Sequence, residues 1–220
     1  MLYLNTFRPL CGGKCGKAAI KRYGLQPYID GSIRREPDLE LELPTISALC
    51  RAGRFAPKLA LGDVVVYMTV AGRFNETKRR LVAVLQVCLP PFSDHEVAYR
   101  WHLDHGRPIP SNCWVKPNPP RPYDQSNPPK DYPTVDKYSV WDRSYRERAR
   151  QHGAFLVTRA LFKSLSTPPP IEDEVLTSIF GKIPGTQNPR SISPQEFSTL
   201  MDRLGIDIPE WSSSFAVTLE

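Results

Sequence analysis

The apolar positions of this chain recur with two periods, two residues in its strands and three to four in its helices. Near the start, LYLNTF predicts a strand, and CGGKCGK after it predicts a glycine-rich loop. In DLELELP, acids and leucines alternate. That predicts a strand with Leu39, Leu41 and Leu43 toward a core and Asp38, Glu40 and Glu42 toward solvent. Pro44 to Arg51 predicts a short helix that buries Ile46, Leu49 and Cys50. The clearest signal is a hairpin with a long polar connection. Gly62-Asp63 turns the chain into DVVVYMTV, AGRFNETKRR crosses over, and LVAVLQVCL returns. Both runs are almost wholly apolar, so both faces of their sheet are covered.

Helical spacing takes over next. Ser93 with Glu96 three residues on predicts a capping box, Val97 and Trp101 share a face, and Gly106 stops the helix. Residues 108–133 hold nine of the 23 prolines, which excludes regular helix and central strand and predicts a long loop or flap. SVWDRSYRERARQHG predicts a helix with Trp141 and Tyr145 on one face and Arg143, Arg146 and Arg150 on another. Gly153 ends it, and AFLVTRALF is a buried strand. IEDEVLTSIF is a helix stopped by Gly181. Ser193, Pro194 and Glu196 open the last one, with Phe197, Leu200, Met201 and Leu204 as its apolar stripe. The class expected is α/β of the α+β type: a domain over residues 1–165 and a C-terminal helical extension over 166–220 packed on it.

Composition adds limits. Hydrophobic residues make up 40% of the 220, enough for a packed core. No apolar run approaches the roughly 20 residues that cross a bilayer. The start, MLYLNTFRPL, lacks the form of a secretory signal because Arg8 and Pro9 break it. The five cysteines form no paired framework and read as reduced thiols, so a cytoplasmic protein is expected. Charge is distributed in blocks. Residues 1–35, 51–80 and 137–163 carry +6, +5 and +5, while residues 164–220 carry −5. A fold that joins the three basic blocks makes a cationic face.

The candidate chemistries are unequal. Cys11 and Cys15 are four apart, His102 and His105 three apart, and no two close spacings combine as structural zinc requires, so neither metal nor cofactor is expected. A nominal PD…ExK pattern runs from Pro37-Asp38 to Glu76-Thr77-Lys78 and would make Asp38 a ligand in a metal-dependent hydrolase. GxSxG, HExxH and a Walker loop are all missing, and no catalytic residue is assigned. KPNPPRP in the proline stretch matches an SH3-type ligand, a match that this composition produces by chance, and the protein-interaction alternative rests on the proline loop itself, over residues 116–129.

The nucleic-acid reading draws on more residues. Arg51, Arg54, Arg79, Arg80, Arg143 and Arg146 suit phosphate contact. Tyr67, Tyr99, Trp101, Trp114 and Trp141 offer faces for a flipped or unpaired base. Trp101 and Trp141 are assigned to the core. Trp114 sits in the proline stretch, beside Ser111 and Asn112 that would read a base edge.

The order of elements resembles the PUA-like superfamily, which includes ASCH, EVE and YTH domains. Within it the nucleotide-modification-associated domain families are most similar. GSIRREPD, ISALCR and LALGDVVVYMTV carry the likeness, over residues 1–165. It implies a strongly bent mixed sheet or pseudo-barrel with surrounding helices, and a pocket at the sheet edge that recognises a modified base in nucleic acid. Carried onto this chain, the pocket would use Ser32, Arg34, Arg35, Ser47, Tyr67, Ser111, Asn112 and Trp114. The partner implied is nucleic acid or a modified nucleotide, with no membrane and no oligomeric state assigned.

Overall fold

The computed structural model describes residues 1–50, 53–70, 78–128, 135–185 and 189–208, with the backbone alone for 135–138. Seven strands among these residues form one mixed sheet curled into a half-barrel. They are β1 (Leu2–Phe7), β2 (Thr45–Ser47), β3 (Val64–Thr69), β4 (Arg79–Val87), β5 (Phe155–Lys163), β6 (Pro170–Ile171) and β7 (Arg190–Ile192). The order is β2-β5-β4-β3-β1-β7, with β6 added on β4. β1 and β3 are parallel, in register from Leu2↔Val64 to Phe7↔Thr69. The other pairings are antiparallel. Irregularities in register at Tyr67/Met68 and at Val84/Leu85 bend the central strands, as bulges do.

Among the described residues five helices surround the sheet: α1 (Lys14–Tyr23), α2 (His95–Asp104), α3 (Val135–Gln151), α4 (Asp173–Phe180) and α5 (Pro194–Leu204). The period of two along β1 and β3 sorts the core into two layers. Leu2, Leu4, Val64, Val66 and Met68 pack against Leu176 and Phe180 of α4 and Phe197, Leu200 and Met201 of α5. Phe7, Val65 and Tyr67 pack on the opposite face with Leu10, Ile29 and Phe55. Each side chain so enclosed contributes about 1.5–3 kcal/mol relative to exposure.

α4 and α5 are therefore a structural layer, and α5 begins as its sequence predicts. The Ser193 hydroxyl accepts from the Glu196 N–H at 3.1 Å, and the Glu196 carboxylate accepts from the Ser193 N–H at 2.7 Å. Ser193→Ala is expected to cost about 1 kcal/mol. The apolar face of α5 is core, so urea unfolding of the whole protein should register the loss.

Several local expectations change. The glycine-rich loop is a short 3₁₀ turn at Leu10–Gly12 running into α1. A Cβ on Gly16 would lie 1.8 Å from the Leu10 carbonyl oxygen, so glycine there serves close packing. Residues 39–43 are not a strand. Asp38 makes one bridge to Thr45 and turns inward, wholly buried, where the Ser111 N–H and hydroxyl donate to it at 2.7 and 2.9 Å. The helix expected from Pro44 is instead β2, because Thr45 and Ile46 pair with Val157 and Leu156. The N-cap of α2 is Asp94, whose side chain accepts from the Val97 N–H at 2.8 Å, and not Ser93. α3 starts at Val135, earlier than the apolar pattern indicates.

Over its described residues the proline stretch has no ladder bonds, yet side chains satisfy its carbonyls, as a buried backbone requires. The Asn118 amide donates to the Pro110 and Cys113 carbonyls at 2.9 and 2.7 Å. Arg34 reaches the Asn118 carbonyl at 2.9 Å, and Arg35 the Gln125 carbonyl at 2.7 Å. Asn127 donates to the Pro9 and Leu10 carbonyls at 3.3 and 2.8 Å and accepts from Gly16 N–H at 2.9 Å. The KPNPPRP segment is likewise tied down, with Arg121 N–H on the Ile33 carbonyl at 2.9 Å and its guanidinium 3.4 Å from Glu40. No helix of the described residues is long and apolar enough to cross a membrane.

Candidate functional site

A pocket of about 330 Å³ opens where the C-terminal half of β1 meets the loop at residues 30–36, the end of β2 and α3. Its size is at the lower end of the range for small-molecule sites. On β1, Tyr3, Asn5 and Phe7 alternate against Leu2, Leu4 and Thr6. Asn5 is thus a polar residue on the pocket-side face of the strand. Its Oδ1 accepts the Thr6 N–H at 2.8 Å, which fixes the amide orientation. Tyr67, just ahead of the irregularity in β3, and Phe55 line the apolar wall. Trp141 from α3 completes it, half-buried and tilted against Tyr145 with ring centres 5.8 Å apart.

Two buried carboxyls form the polar wall. Asp30 heads an Asp-Gly-Ser turn. Its Oδ1 accepts the Ser32 N–H at 2.8 Å, the Ser32 hydroxyl, and the Glu36 N–H at 3.1 Å. Burial raises its pKa to about 6, against the pull of Ser32, Arg35 and the Glu36 N–H. Glu36 accepts from the Ser47 N–H at 3.0 and 3.1 Å, from the Ser47 hydroxyl, and from the Asn112 amide at 3.1 Å. Burial pushes it up to about 8, against the hydrogen bonds from Ser47 and Asn112 and with a small addition from Asp30. At neutral pH Glu36 holds its proton.

Behind this wall lie residues that the sequence places in the site itself. Arg35 is 1% exposed and sits at φ 42°, a left-handed backbone that costs an arginine about 1–3 kcal/mol. Its guanidinium holds that geometry by donating to the Asp30 and Ser32 carbonyls, each at 2.9 Å, and to Glu40 at 3.2 Å. Asn112 is buried and spans Glu36 and Thr45, and Ser111 is spent on Asp38. Arg34 pairs with Asp142 of α3 through two bonds of 2.8 and 3.1 Å. These four are positioning residues. Ser32, Ser47 and Tyr67 alone among the eight expected ligand contacts line the pocket. Asp38, the proposed hydrolase ligand, is sealed under Ser111, and Glu76 lies outside the described residues.

Trp114 belongs to a second cleft, of about 600 Å³, to which α3 contributes Arg146, Ala149 and Arg150. Its Nε1 donates to Asp142 at 3.2 Å, the Arg34 guanidinium sits 5.8 Å from its ring centre, and its backbone N–H donates to His95 Nδ1 at 3.0 Å. Burial, then the Arg34 charge, lowers the His95 pKa to about 4, so this imidazole stays neutral. Lys116, Arg146 and Arg150 line the cleft beside it, with Asp94 and Glu96. Of the other expected phosphate contacts, Arg54 and Arg143 are exposed, Arg79 pairs with Asp173, and Arg80 donates to the Pro168 carbonyl at 2.8 Å. Arg51 lies outside the described residues.

Other chemistries find little here. Among the described residues no three His, Cys, Asp or Glu side chains are arranged to hold a metal. None of the five cysteines is in a disulfide, and burial pushes the Cys113 thiol up to about 12. Compared with protein-family models, curated proteins and solved structures, the chain matches none of them.

Proposed function

We propose that this protein binds nucleic acid and takes one base, unpaired or modified, into the pocket between β1 and α3. The observation that carries this reading is the lining of that pocket: aromatic rings on one wall, and Asn5, Asp30 and Glu36 converging on the other. An extruded base presents two such surfaces, a π-face and a hydrogen-bonding edge. The cleft with Trp114, Lys116, Arg146 and Arg150 then contacts the flanking phosphates. A curled sheet holding a pocket beside the GSIRREPD loop also agrees with the PUA-like resemblance and with recognition of a modified base.

Trp141 is the aromatic with exposed surface in the pocket, so it takes the stacking role expected of Trp114. Trp141→Ala is expected to weaken binding of a labelled oligonucleotide carrying the preferred base by about five- to a hundredfold, since stacking contributes about 1–3 kcal/mol per base. Arg146→Ala should weaken all sequences alike and reduce the salt slope by about one. Fluorescence anisotropy at low salt, over oligonucleotides with different base modifications, measures both. No binding to any of them would end the proposal.

A further inference from the structure

We infer that the pocket between β1 and α3 takes an uncharged nitrogen heterocycle that gives an N–H or amino hydrogen to Asp30 and accepts one from the Asn5 amide. This deepens the base-binding reading and rests on it. The inference comes from what the two side chains leave unused. Asn5 is 6% exposed and its Oδ1 is occupied by the Thr6 N–H, yet its NH₂ group meets no acceptor among the described residues. Asp30 is 5% exposed and accepts three hydrogen bonds, all of them at Oδ1. Its Oδ2 meets no donor among the described residues.

Both residues line the pocket, and neither leftover atom is among the polar atoms sealed away without a partner. Each leftover atom thus keeps some exposed surface on a residue that lines the pocket, and together the two offer its occupant a donor and an acceptor. Buried polar groups in this condition await a partner. A heterocycle with a ring N–H or amino group near a carbonyl or ring nitrogen supplies both halves, and the aromatic wall takes its face. An anion is the wrong class. Of the groups lining the pocket, Asp30 is acidic and Glu36 is a carboxyl held neutral, while the cation, Arg8, is exposed and so stands at the mouth.

The test is calorimetric titration of the whole chain with nucleosides. Adenosine, cytidine, guanosine and uridine are each compared with the counterpart whose base-edge N–H groups are replaced by methyl groups. Inorganic phosphate is a third probe. At least one unblocked nucleoside should bind, and its blocked counterpart at least tenfold more weakly, because an unmade hydrogen bond in a buried site leaves both partners unsatisfied. Asn5→Asp keeps the acceptor for Thr6 and deletes the donor, and Asp30→Asn keeps Oδ1 and reverses the polarity at Oδ2. Each should lose tenfold or more, with unchanged far-ultraviolet circular dichroism.

Equal binding of blocked and unblocked bases overturns the inference and leaves base binding standing. So does unchanged affinity in both variants, or phosphate that displaces the nucleoside. A wild-type protein that binds no nucleoside and no oligonucleotide overturns both. The blocked nucleosides probe the native protein, so the result does not depend on either variant folding.

Discussion

Asp142→Ala is expected to lower the free energy of unfolding by about 3–5 kcal/mol, because it strands a buried arginine. The Arg34 side chain is 2% exposed, and Asp142 is its carboxylate partner, in a two-bond geometry of 2.8 and 3.1 Å. Its remaining bonds run to the Ser111 and Asn118 carbonyls, which carry no charge. The same carboxylate accepts the Trp114 Nε1–H, so the variant also frees the indole that walls the second cleft. Losses of this size take a large share of the roughly 5–15 kcal/mol that holds a domain folded. Replacing both members, Arg34→Met with Asp142→Leu, should cost far less than either single change, since no charge is left without a partner. Urea unfolding of Asp142→Ala, the two single changes and the double variant measures this coupling. A loss below about 1 kcal/mol in Asp142→Ala would mean that water reaches Arg34, and the pair would then count as a surface bridge.

That pair also shows why the site was harder to read than the sheet. β1, β3, β4 and β5 announce themselves because strand pairing and burial act on local pattern: Val64 to Thr69 are all buried, and any register of that run is apolar. α5 is equally legible, since capping and the stripe of Phe197, Leu200 and Met201 lie within a dozen residues. The pocket depends on contacts between distant positions. Asp142 meets Arg34 across 108 positions, and Asn127 meets Gly16 across 111. Arg34 and Arg35 look like pocket residues when only the GSIRREPD motif and their charge are visible, and prove to be buried braces once Asp142, Glu40 and the carbonyls of the proline stretch are in place. Asp38 reads as a solvated acid for the same reason. One local signal was present: Asn5 is the polar residue in a strand face otherwise made of Tyr3 and Phe7. A lone asparagine there has to be answered by something, and its NH₂ meets no acceptor among the described residues.

Glu36→Gln is expected to reverse its effect on stability between pH 5 and pH 9. The unfolded carboxyl has its ordinary value of 4.5, and the folded one about 8. Between these values the folded chain holds a proton that the unfolded chain has released, so raising the pH favours unfolding. The stabilisation is complete below 4.5, falls as pH rises through 8, and is flat above it. Asp30 adds a slope of the same sign, between 3.8 and about 6. At about 1.4 kcal/mol per unit, the combined slope amounts to several kcal/mol. Glutamine copies the protonated acid: its oxygen can take the Asn112 amide and the Ser47 hydroxyl, and it cannot ionise. The variant should therefore match or slightly trail the wild type at pH 5 and exceed it at pH 9, which unfolding midpoints at the two values will show. Parallel curves would mean that Glu36 ionises normally and that water fills the space beneath the aromatic wall. A base that accepts a hydrogen bond from the Glu36 acid would also bind less tightly as pH passes 8, and the glutamine variant, which keeps a donor, would bind it with no such dependence.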